Sequence, residues 1–130
     1  MPKENHLISL AKILNKKPEE LKKEITADFK LAAESRQASI LGRKEVLTGK
    51  AKFGFFGDGK EVHQLAMAKV LQNGDFRSGY DRDQTFAFAA GLSAIKEFFA
   101  QLYTDPHIIH DPGSGGSSLN GHFGNSLLVR

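Results

Sequence analysis

Apolar residues recur at helical spacing through most of the chain, and turn-forming residues separate the runs. Leu7, Ile8, Ala11 and Leu14 predict a first short helix. Pro18 suits the first turn of a second short helix carrying Leu21 and Ile25. Thr26 reads as an N-cap with Asp28 in the first turn behind it, which predicts a longer third helix from that point. Its expected apolar positions are Phe29, Ala32, Ala33, Ile40, Val46 and Leu47. Gly42 lies inside this helix at a cost of ~1 kcal/mol relative to alanine. Thr48, Gly49 and Lys50 end it.

The pattern then changes. Lys52-Phe53-Gly54-Phe55-Phe56 is short and aromatic, and Gly57-Asp58-Gly59 follows. Asp58 or Gly59 is the expected cap of a helix whose stripe is Val62, Leu65, Ala66, Val70 and Leu71. Asn73-Gly74-Asp75 signals a turn, and residues 76–84 form a loop rich in charge. From Asp83 to Leu102 the apolar residues Phe86, Phe88, Leu92, Ile95, Phe98 and Phe99 run nearly all round one expected helix, which predicts burial. Beyond Tyr103 the regular pattern gives way to Asp-Pro pairs and the Gly/Ser run 113–118, and the sequence closes on the apolar Leu127, Leu128 and Val129.

A length of 130 residues fits one modest core. With no cysteine, a disulfide framework, a thiolate metal site and a cysteine nucleophile are excluded. No apolar run approaches the ~18 residues that span a bilayer, and the N-terminus carries no secretory pattern, so the cytoplasm is the expected compartment and no membrane partner is expected. The net charge of +3 is uneven: residues 1–50 hold eleven Lys/Arg against seven Asp/Glu, the remainder seven against eight. Because Lys16, Lys17, Lys22 and Lys23 alternate with Glu19, Glu20 and Glu24, this segment reads as a solvated helix face. A nucleic-acid partner is therefore the least favoured of the readings.

Four stretches invite chemistry. His107 and His110, flanked by Asp105 and Asp111, have metal-ligand types, but their turn-like setting favours surface histidines, and no residue is assigned to a metal. Gly57-Asp58-Gly59 reads as a helix-start turn, since no nucleotide fingerprint accompanies it. The run 113–118 reads as a linker, with anion cradling by its backbone N–H groups as the sharper alternative. In the loop 76–84, Arg77 and Arg82 straddle Tyr80. Spacing alone leaves two readings open: phosphate binding, or a charge network with Asp75, Asp81 and Asp83.

Residues 49–86, GKAKFGFFGDGKEVHQLAMAKVLQNGDFRSGYDRDQTF, resemble the alpha-type region of the thiamine-diphosphate-dependent 2-oxo acid dehydrogenases, in particular the form fused to a beta-type region. The similarity begins near LAAESRQASILGRKEVLTGK (31–50) and continues through DPGSGGSSLNGHFG (111–124). It implies a fold that is mainly α in these residues: the helical N-terminal portion of a thiamine-diphosphate-binding α/β fold, with an irregular Gly/Ser-rich C-terminal segment. Residues 1–25 would form basic N-terminal helices and 26–130 a partial alpha-type domain. By the resemblance, Phe53 lies near the cofactor, Arg82 matches the arginine that binds its diphosphate, Tyr80 precedes that arginine's usual tyrosine partner, and His122 approaches the substrate pocket.

Three departures qualify that match. The family loop reads GYYRDQ, and here Asp81 replaces the second tyrosine, where a carboxylate would repel diphosphate or pair with Arg82. Ser117 stands where the family has arginine. The downstream motif that anchors the Mg ion of thiamine diphosphate, GDG followed later by Asn, is not among these residues, nor is the beta-type region with its activating glutamate. The first expectation is accordingly a fragment or altered relative of the alpha-type region, inactive alone, with no catalytic residue assigned. Its expected partner is a beta-type subunit or a second copy of the chain. The second is a non-enzymatic, self-associating helical module on the same scaffold.

Overall fold

The structure, a computed structural model, describes residues 2–72, 74–75 and 77–121, with side chains from residue 6 onward. The described residues form helices and loops without a strand: α1 (Pro2–Ile13), α2 (Pro18–Leu47), α3 (Glu61–Val70), α4 (Gln84–Ala89) and α5 (Ile95–Leu102). None of these helices is long and apolar enough to cross a membrane. Two compact units divide between Leu31 and Ala32. The expected tail cluster 127–129 and Asn73 of the turn lie outside the described residues.

In the first unit, α1 ends in a Schellman turn. Asn15 takes φ 51°, Lys16 N–H donates to Ala11 O at 2.9 Å, and Asn15 N–H donates to Lys12 O at 3.2 Å. Asparagine tolerates this left-handed geometry, and Pro18 then opens α2 as expected. Ala11 and Leu21 are buried, whereas Ile8 and Leu14 of the expected stripe are exposed. Lys16 pairs with Glu24, in keeping with a mixed, solvated face.

The expected helix break at Thr26 is absent. α2 runs unbroken for 30 residues, because no Gly or Pro interrupts it before Gly42. The Thr26 hydroxyl donates to Lys22 O at 2.8 Å, bonding back into the helix instead of capping a new one.

In the second unit, the buried face of α2 is not its apolar stripe. Ile40 and Leu47 are exposed, and the buried positions are Ser35, Ala38, Ser39, Gly42 and Glu45. Their i, i+3, i+4, i+7 spacing marks one face. The small residues permit close approach: a Cβ on Gly42 would lie 2.5 Å from the Phe56 ring. Gly42 is thus a packing requirement. The helix closes with Gly49 at φ 76°, Lys50 N–H bonding Glu45 O at 2.9 Å and Gly49 N–H bonding Val46 O at 3.0 Å.

The single helix expected over 83–102 is two. After α4, Gly91 takes φ 68° and Leu92 N–H bonds Ala87 O at 2.9 Å, a third Schellman stop after those at Asn15 and Gly49. Glu97 then starts α5 by accepting from Ala94 N–H at 3.0 Å and from the Ser93 hydroxyl at 3.1 Å. Burial is as expected only in part: Phe86, Phe98 and Leu102 are in the core, whereas Phe88, Leu92, Ile95 and Phe99 are half-buried. Phe56, Phe88 and Phe99 lie around Phe98 at centroid distances of 5.4–6.4 Å.

Candidate functional site

The segment 53–57 is held from several sides. Asn120, almost wholly buried, accepts from Phe55 N–H at 2.8 Å and donates to Phe55 O at 2.7 Å, engaging both backbone groups of one residue. Gly57 N–H donates to Gln84 Oε1 at 3.3 Å, and Gln84 Nε2 in turn donates to Ser35 O and Ser39 Oγ, each at 2.9 Å. Ser35 and Thr85 share a further hydroxyl contact of 2.6 Å. Among the described residues no buried side-chain polar atom lacks a partner, so the polar interior is satisfied throughout.

The loop beyond α3 is fixed by the same means. Gln64 donates to Arg82 O at 2.9 Å and accepts from Phe86 N–H at 3.1 Å. Gly57 lies directly against the Arg82 carbonyl, where an added Cβ would be 2.3 Å away. Gly121, at φ 89°, lies equally close to the carbonyl of Asp81. These contacts set the backbone from which the Arg82 side chain departs. The two arginines of the loop then differ. Arg77 pairs with Asp83 and stacks 4.1 Å from the Phe86 centroid, and its burial holds the guanidinium below its ordinary pKa. Arg82 is exposed. The charge-network alternative is therefore realised by Arg77 and Asp83.

Arg82 lines an open pocket of about 420 Å³ together with Arg43, residues 53–56 and Asp58. Arg43 reaches it from α2, hydrogen-bonded to Asp58 Oδ1 at 2.5 Å with its guanidinium 5.7 Å from the Phe56 centroid. Phe53 and Phe55 meet edge to face at 5.1 Å. The pocket thus combines two guanidinium groups, one carboxylate and an aromatic wall. Comparison with family models, with curated proteins and with solved structures returns no match.

Phe53 and Arg82, singled out in the sequence for a cofactor, are brought together in this pocket. Tyr80 is not among its lining residues and points to solvent at 61% exposure. His122 and Phe76 lie outside the described residues. Arg43, Asp58 and Asn120 were not legible as site residues. Arg43 sits in a helix whose apolar stripe points elsewhere, and Asn120 acts across 65 residues of sequence.

Two further expectations change. Neither Asp58 nor Gly59 caps α3. Glu61, at its first residue, accepts from Gly59 N–H at 3.1 Å and is gripped by Arg36 through Nε at 2.6 Å and Nη2 at 2.9 Å. The Arg36 hydrogen bond is the chief reason that the Glu61 carboxyl is pulled down to about 2, against the opposing effect of burial. Nor is 113–118 a linker. Asp111, fully buried, accepts from Ser114 Oγ at 2.5 Å, Gly116 N–H at 2.9 Å and Gln101 Nε2 at 3.1 Å. Burial raises its pKa, but these donors outweigh it and hold the carboxyl below its ordinary value. The anion cradled by the Gly/Ser run is the chain's own aspartate.

Proposed function

We propose that this chain carries the diphosphate-binding wall of the alpha-type region of a thiamine-diphosphate-dependent 2-oxo acid dehydrogenase, altered at Asp81 and Ser117. On this reading its helices are the helical part of an α/β fold. The observation that carries the proposal is the pocket that joins Arg82 and Phe53, the two residues that the resemblance nominates, to a second guanidinium at Arg43. The donor set suits the diphosphate end of the cofactor: guanidinium groups bind phosphate oxygens in pairs, and the aromatic side offers an apolar boundary. Arg82 would hold the diphosphate, Arg43 would add positive charge offset by Asp58, and Phe53 would border the cofactor. When bound, thiamine diphosphate supplies the carbanion and electron sink for decarboxylation of a 2-oxo acid. These residues include neither the Mg anchor nor the glutamate that activates the aminopyrimidine, so the chain alone is inactive on 2-oxo acids and needs a beta-type subunit.

Calorimetric titration with thiamine diphosphate and Mg²⁺ tests this reading. Weak binding, with Kd of about 1 mM or above, is expected for the chain, and Arg82→Ala should abolish it. Binding unaffected by Arg82→Ala would overturn the assignment, and micromolar binding would show that the missing anchor is dispensable.

A second reading, self-association without catalysis, is favoured by one observation. Val62 and Val70 of the expected α3 stripe are 81% and 73% exposed, and the buried face of α3 consists of Glu61, Gln64 and Leu65. The 83–102 segment offers no continuous helix for a dimer, since it is split and Phe86, Phe98 and Leu102 are in the core. Light scattering with Val62→Lys decides: a dimer lost in the variant supports this reading, and a monomeric wild type removes it.

A further inference from the structure

The chain leaves α5 through a conformation that glycine would adopt more easily. Thr104 takes φ 55°, a left-handed geometry unfavourable for a β-branched residue, while Asp105 N–H bonds Ala100 O at 2.9 Å. Gly116, at φ 80°, presses on this corner: a Cβ there would lie 2.7 Å from Asp105 O and 2.8 Å from Thr104 O. Directly after it, one helical turn forms, with His110 N–H and Asp111 N–H both donating to His107 O at 2.9 and 3.0 Å. The i, i+3 spacing brings the two imidazoles to the same side, with ring centroids 5.5 Å apart. The buried Asp111, with its hydrogen-bonded loop, fixes the far end of the turn.

Asp105 lies between the two rings. Its Oδ1 is 2.7 Å from His107 Nδ1 and its Oδ2 is 2.8 Å from His110 Nδ1. A simple Asx turn accounts for the bond from His107 N–H to Oδ1 at 2.9 Å. It does not account for the second oxygen's engagement of His110, which closes the three side chains into one group. One ligand atom from each residue lies within 4.8 Å of the others.

We propose that Asp105, His107 and His110 form a binding site for a divalent transition-metal ion of the zinc class. Two imidazole nitrogens and one carboxylate oxygen are the ligand types that suit zinc, cobalt or nickel, whereas magnesium and calcium prefer all-oxygen shells. Tetrahedral zinc with bonds of ~2.0–2.1 Å places its ligands ~3.4 Å apart, so the widest pair must close by little more than ~1 Å. Both imidazole side chains are largely exposed and can turn to do so. Three protein ligands leave a coordination position for water or a partner's donor. The site shares no residue with the Arg82 pocket and is independent of the thiamine diphosphate reading.

The test is calorimetric titration of the full chain with zinc chloride, paired with NMR of the histidine ring nitrogens. One equivalent of zinc should bind, with the His107 and His110 ring signals shifting together and magnesium chloride failing to compete. His107→Ala and His110→Ala should each weaken binding by ~10-fold or more, the scale of losing a metal-site partner, and Asp105→Asn should weaken it similarly. His63→Ala, on α3, should leave it unchanged. Binding that survives the His107→Ala/His110→Ala double variant overturns the proposal, as does the absence of binding at about 100 µM zinc, a concentration well above a functional Kd. The ring shifts are read on the unaltered protein, so the result does not depend on whether a variant folds.

Discussion

Gly57 illustrates how one absent side chain places a charged one. An added Cβ would sit 2.3 Å from the Arg82 carbonyl, which is backbone and has little room to yield. Gly57→Ala should therefore destabilise the chain by ~1–3 kcal/mol, the cost of overpacking, and shift Arg82 away from the pocket. Denaturant unfolding reads the first effect, and loss of the weak thiamine diphosphate binding reads the second. At Glu61 the prediction concerns pH. Its folded-state pKa of about 2 lies below the ordinary 4.5, so the stability it contributes is complete above pH ~4.5 and is lost as pH falls toward 2. Unfolding free energy of the wild type should fall across that window, and Glu61→Gln should flatten the fall. At pH 7 the same change should cost ~1–2 kcal/mol, less than for a fully buried pair because Arg36 is half-exposed. An unchanged acid profile in the variant would show that the Arg36–Glu61 clamp does not stabilise the fold. Arg82 was legible at this scale because the loop motif surrounds it, and Gly57 was not, because nothing local reveals which carbonyl lies against it.

For the helices, pattern reading located most of the elements and misjudged their faces. α1, the start of α2 at Pro18 and the body of α3 follow from spacing and turn residues. The buried side of α2 does not, because it is built from Ser35, Ala38, Ser39 and Gly42, whose value lies in smallness and in bonds to Gln84. Hydrophobicity alone selects the opposite face. Accordingly Ala38→Leu should cost ~1–3 kcal/mol by overpacking, while Ile40→Lys should stay within ~0.5 kcal/mol of wild type. Thermal denaturation of the pair checks this, and equal effects would contradict the assigned face. The break between α4 and α5 was concealed for a related reason. A run of apolar residues masks a stop made by one glycine, Gly91, and one helix start made by Glu97. Glu97→Ala should cost ~1 kcal/mol, as loss of a cap does, measured by the same unfolding.

Across the whole molecule, the candidate site was legible in part. The resemblance nominated Phe53 and Arg82, which share a pocket, and Tyr80, which does not line it. Arg43, Asn120 and the network of Gln64 and Gln84 were hidden, since their partners lie 15–65 residues away and no local pattern encodes such pairings. The Gly/Ser stretch has a linker's composition, and composition does not show that Asp111 gathers its donors. Asp111→Ala strips the partner from Gly116 N–H and Gln101 Nε2, and should cost ~2–3 kcal/mol with faster amide exchange at Gly116. The central claim, that the Arg82 pocket is a diphosphate site weakened by its neighbour, is tested most directly by gain rather than loss. Titrating Asp81→Tyr with thiamine diphosphate and Mg²⁺ removes one negative charge and restores the family's tyrosine. The expected result is binding ~10-fold tighter than wild type, equivalent to ~1.4 kcal/mol. Unchanged or weaker binding by a folded Asp81→Tyr chain would contradict the assignment.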